Sequence, residues 1–127
     1  MGNADLRKAL RKWSKILGLE DWEISIRWVE VAGGDENAAA AVVRNNEAKT
    51  AEIGVSHAAM GDAGLIDACV CHECVHVALG ALSGAIEQVC EDAIDHDRTR
   101  KLATSVLESA EELVVCGLER ALVDHCT

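Results

Sequence analysis

The chain has 127 residues, enough for a single domain with one modest core, and sets 22 acidic against 12 basic side chains for a formal net charge of −10. That balance argues against nucleic acid as the main partner, because neutralising phosphates takes a basic surface. No uninterrupted run of about 18 apolar residues predicts a membrane span, and Met1 to Trp13 carries Arg7, Lys8, Arg11 and Lys12 without the apolar core of a signal peptide, so a cytoplasmic location is expected.

Residues from about Asn3 to Leu17 read as an amphipathic helix, with Leu6, Leu10, Trp13 and Leu17 at spacings of three and four and Gly18 as its stop. Trp22, Ile24, Ile26 and Trp28 alternate with polar residues, which predicts a strand with one buried face over Trp22 to Val31. A turn at Ala32 to Asn37 leads to a second strand, Ala38 to Arg44. Asn45-Asn46-Glu47 reads as a hairpin turn, and Lys49 to Ser56 as a third strand with Ala51, Ile53 and Val55 on one face. Three consecutive strands with short turns predict an antiparallel meander, placed at about residues 20–57.

Asp62 is the expected N-cap of a largely buried helix over about 62–82, which Ser83-Gly84 would end. A helical tail follows over about 85–125, as one helix or as two broken near Asp95 to Thr99. Its apolar positions Leu102, Val106, Leu113, Leu118 and Leu122 are expected to pack on the domain, with a homodimer through this helix as the alternative. The fold class is therefore α+β, in one domain spanning 1–127. The six cysteines lie mostly in apolar helical contexts and read as reduced core residues.

Within the buried helix stands Cys71-His72-Glu73-Cys74-Val75-His76, an HExxH pattern. Residues four apart share a helix face, so His72 and His76 can hold one Zn²⁺, with Glu73 beside them as general base. Polar residues gathered at one turn of an apolar helix need a reason, and a metal supplies one. The alternative is a pair of hydrogen-bonded core histidines. A catalytic zinc takes three protein ligands. A break at Ser83-Gly84 would fold the next helix back across the motif, which favours Glu87 as the third, with Glu91 one turn on and His96 at a longer reach. Cys69, on the histidine face, would instead close a structural site.

The residues Asp21-Trp22-Glu23-Ile24, Ala51-Glu52-Ile53-Gly54-Val55, Val70 to Leu79 and Glu87-Gln88-Val89 together resemble zincin-type metallopeptidases. The similarity is to small single-domain HExxH proteins of phage and prophage genomes and, more distantly, to SprT-like domains. The resemblance implies a zinc-dependent hydrolase with ligands His72 and His76 and base Glu73, and a gluzincin-like third ligand at Glu87. The sequence departs from the pattern in having Cys71 and Cys74 where bulkier apolar residues are usual. It also contains no Tyr to stabilise a tetrahedral intermediate, which would leave that role to His57, His96 or the metal. The expected function is peptide-bond hydrolysis on a peptide or protein substrate laid along the third strand, with no nucleic-acid or membrane partner. A non-catalytic, zinc-stabilised binding or interaction module is the alternative.

Overall fold

A computed structural model describes residues 2–126 and has an α+β architecture. Its elements are α1 (Gly2–Ile16), β1 (Glu23–Val29), β2 (Ala40–Asn45), β3 (Thr50–Ser56), a 3-10 turn (His57–Ala59), α2 (Ala63–Ala93) and α3 (Asp97–Cys126). Leu6, Ala9 and Trp13 form the buried stripe of α1. The helix ends as its sequence predicts: Gly18 takes φ +69°, Leu19 N–H donates to the Ser14 carbonyl at 2.8 Å and Gly18 N–H to that of Lys15. Trp13 Nε1 (3.0 Å) and Lys12 both donate to Asp67, joining α1 to α2.

The sheet is mixed rather than an antiparallel meander, in the order β1-β3-β2. The β2–β3 hairpin is antiparallel as expected, but β1 pairs parallel with β3, Ile26 against Ile53 and Trp28 against Val55. Alternation identifies strands without naming their neighbours. The connection after β1 turns through Gly33 and Gly34, both at positive φ, and carries the chain past the place β3 will occupy. Burial accounts for the order. Ala51, Ile53 and Val55 are each at most 5% exposed, so β3 takes the centre, whereas β2 presents Val43 at 73% and suits an edge. The expectation that β3 offers a free edge to substrate is therefore corrected: β2 is the edge on that side.

Asp62 caps α2 through its carboxylate, which accepts from Leu65 N–H at 3.0 Å. The helix then runs 31 residues without stopping at Ser83-Gly84. Neither residue acts as a terminator. Ser83 is buried and hydrogen-bonded, and a Cβ at Gly84 would lie 2.9 Å from Asn46 Nδ2. At Gly80 the approach is closer, 2.2 Å from Asn46 Oδ1 and 3.1 Å from Arg44 Cδ. The two glycines make the notch in which the end of the β-hairpin rests. Gly80→Ala should therefore cost about 1–3 kcal/mol of overpacking despite alanine's better helix propensity, and chemical denaturation of the two proteins measures it.

The chain reverses at residues 94–96, the later of the two breaks the sequence suggested, and α3 returns along α2. The face of α3 that packs inward carries Leu107, Glu111, Val115, Glu119 and Leu122. The stripe expected to pack is instead mostly outside: Leu102, Val106, Leu113 and Leu118 are 64, 61, 76 and 42% exposed. By length and composition alone α2 is long and apolar enough to cross a membrane, a test that the core helix of a globular fold also passes. Half of its most apolar window is buried against the rest of the fold.

Candidate metal centre

His72 and His76 sit one turn apart on α2 with their rings edge to face, 5.1 Å between centroids. The third member of the group comes from α3. Ligand atoms of His72, His76 and Glu112 lie within 4.8 Å of one another, a set that can hold a metal ion. Glu112 spans both rings, with Oε1 2.8 Å from His72 Nε2 and Oε2 2.9 Å from His76 Nε2.

The far side of each ring is fixed by another carboxylate. His72 Nδ1 lies 2.8 Å from Glu119 Oε1, and His76 Nδ1 lies 2.6 Å from Glu111 Oε2. A carboxylate only accepts hydrogen bonds, so both Nδ1 atoms carry the proton, and a neutral ring then presents a lone pair at Nε2. Both lone pairs face the acceptor Glu112. Contacts of 2.8 and 2.9 Å between them call for a proton or a metal cation in the gap. Glu73, Glu111, Glu112 and Glu119 set four carboxyl groups here against the single guanidinium of Arg44. The donor set of two imidazoles and a carboxylate, backed by outer carboxylates on both rings, is one that could hold a metal ion.

Arg44 joins the edge strand to this arrangement. Its guanidinium donates to both oxygens of Glu111 at 3.0 and 3.1 Å and to the His76 carbonyl at 2.6 Å. Ser83 Oγ donates to Glu111 as well. Burial opposes ionisation of Glu111, but the hydrogen bonds from Arg44, Ser83 and His76 outweigh it and hold its carboxyl at about 2. A carboxyl whose folded pKa lies below its unfolded value of 4.5 binds fewer protons folded than unfolded. Its stabilisation is thus present above pH 4.5 and lost as pH falls toward 2. With metal removed by chelator, urea midpoints should drop between pH 5 and pH 3, and in Glu111→Gln this drop should be smaller.

Glu73 is only 5% exposed. Burial pushes its carboxyl up, His72 and His76 pull it back, and Glu112 and Glu119 add to the rise. It lines a cavity of about 380 Å³ together with His72, His76, Glu112 and residues Ala40 to Val42 of β2. A larger depression of about 720 Å³, lined by residues 23–25, 43–45 and 50–52, holds none of these groups.

Of the residues singled out in the sequence, His72, Glu73 and His76 come together as expected. Glu87 does not join them. Because α2 is continuous, Glu87 lies on the same helix as His76 and roughly 16 Å further along its axis. Glu91 lies further still, and both are exposed. His96 is exposed in the turn between the helices, where it accepts from Thr99. His57 stacks on Trp28. Cys69 is buried and free of disulfides, its thiol pushed up to about 11 by burial, which disfavours a thiolate ligand. Sequence reasoning missed Arg44, Ser83, Glu111, Glu112 and Glu119. A hairpin turning at Asp95 faces residues equally far from the turn, so His72 and His76, 23 and 19 residues before it, meet the chain near 118 and 114. No protein-family model, curated protein or solved structure matches the chain.

Proposed function

We propose that this chain is a zinc-dependent peptidase of zincin type, with His72, His76 and Glu112 as the metal ligands and Glu73 as general base. The observation that carries the reading is the convergence of two imidazole Nε2 atoms and the Glu112 carboxylate beside the buried Glu73, at the wall of a cavity bounded by an edge strand. The HExxH motif and the resemblance to zincin-type metallopeptidases support it from the sequence. Two His and one Glu leave a coordination position open, as catalytic zinc sites do. When bound there, zinc supplies Lewis-acid polarisation of a carbonyl and lowers the pKa of water.

The remaining work falls to the chain's own side chains. Glu73, its carboxyl raised by burial, takes a proton from the attacking water and delivers it to the leaving amine. Glu111 and Glu119 keep both Nδ1 atoms protonated and the rings turned inward. Ala40 to Val42 belong to a strand with no neighbour on its outer side among the described residues, so an extended peptide can pair with it. The peptide need not be basic, but the four glutamates favour one that is. The five described cysteines form no disulfide, in keeping with a reducing, cytoplasmic setting. Cleavage of an unfolded protein by the zinc-loaded chain, abolished by chelator and absent in Glu73→Gln, is the experiment that tests this function.

A further inference from the structure

The outward face of α3, opposite Val115, is mostly apolar along its middle in a seven-residue pattern. Ala103, Ala110 and Gly117 recur every seven residues, and Val106, Leu113 and Arg120 stand between them at spacings of three and four. This is the spacing of a coiled-coil seam, with small residues at one core position and larger ones at the other. Leu102 and Val114 flank the seam at 64 and 50% exposure, beside Val106 at 61% and Leu113 at 76%. A Cβ on Gly117 would meet nothing within 4 Å, so the face there is open. The packed face of the same helix, with Glu111, Val115 and Glu119, is turned toward α2 and contributes nothing to this seam.

We propose that this seam is the interface of a homodimer, in which α3 of one copy packs antiparallel on α3 of a second. The occupant follows from self-complementarity in one register. With a two-fold axis between residues 111 and 112, Ala110 of one copy lies opposite Leu113 of the other, Gly117 opposite Val106, and Ala103 opposite Arg120. Every layer then sets a large side chain into the space left by a small one, and the symmetry repeats each layer twice. Charges agree with the same register. Asp124 of one copy falls opposite Thr99 of the other, at the positive end of that helix and beside Arg98, Arg100 and Lys101. A parallel pairing would set Leu113 against Leu113 and Asp124 against Asp124.

Sedimentation equilibrium of the full chain at micromolar concentrations tests the proposal. The wild type should weigh twice its 13.5 kDa. Leu113→Glu should be monomeric, with an unchanged circular dichroism spectrum because the residue is exposed. Gly117→Leu should also be monomeric, since it fills the space that receives Val106 of the other copy while meeting nothing within its own fold. This second variant stands independently if Leu113→Glu folds poorly. A monomeric wild type overturns the proposal, and so does a dimer that survives Gly117→Leu.

Discussion

Glu112→Ala should weaken zinc binding more than any other single carboxylate substitution in the chain. Its two oxygens meet both Nε2 atoms, at 2.8 and 2.9 Å, so its removal takes away a ligand rather than an orienting partner. Glu111 and Glu119 contact only the Nδ1 sides of the rings. Replacing either with Gln should reduce affinity by about 10–100-fold, the usual effect of losing an outer carboxylate. Glu112→Ala should exceed about 100-fold, and Glu87→Ala should leave affinity unchanged. Competition titration against a zinc-sensitive dye ranks all four variants. Equal affinities for Glu112→Ala and the wild type would remove Glu112 from the site.

The second large effect is expected in Glu73→Gln. The substitution keeps the volume of a side chain that is only 5% exposed and removes its capacity to take a proton. Glu73 is not in the ligand group, so zinc affinity should stay within a few-fold of the wild type. Hydrolysis should fall by about 10²–10⁴, the contribution of a positioned general base. Burial already raises the Glu73 carboxyl, so amide substitution removes a charge that the fold holds at a cost. The variant should therefore be no less stable than the wild type without metal. Thermal melts alongside single-turnover assays separate the two effects, and full activity in Glu73→Gln would remove Glu73 as the general base.

The motif itself was legible because it is local. HExxH needs nothing beyond the 3.6-residue period to put His72 and His76 on one face, and the structure keeps them there. Asp62 as cap and Gly18 as stop were legible for the same reason, each being settled within five residues of the chain. The third member of the group depended on where α2 ends. Ser83-Gly84 has the composition of a break, yet Gly84 is small because Asn46 lies against it, and Ser83 is polar because Glu111 accepts from it. Both reasons lie in parts of the chain distant in sequence. Placing the break there made Glu87 the nearest carboxylate, and moving it to residues 94–96 selects Glu112 instead.

The sheet shows the same limit. Strand periodicity located β1, β2 and β3 to within a few residues, and the Asn45-Asn46 turn correctly joined two of them. Nothing in the alternation of Trp22 to Trp28 says that β1 pairs with β3. The outer stripe of α3 misled in the opposite direction. Leu102, Val106 and Leu113 have the periodicity of a buried face, while the true packing face carries Glu111 and Glu119 among Leu107 and Val115. Carboxylates facing inward resemble a solvated surface until the histidines opposite them are known.

X-ray absorption at the zinc edge of the loaded wild-type protein bears most directly on the site. Two imidazoles and oxygen ligands at about 2.0–2.2 Å, with no sulfur, are expected. Zinc bound with a sulfur neighbour at about 2.3 Å, or a protein that takes up no zinc, would contradict this site.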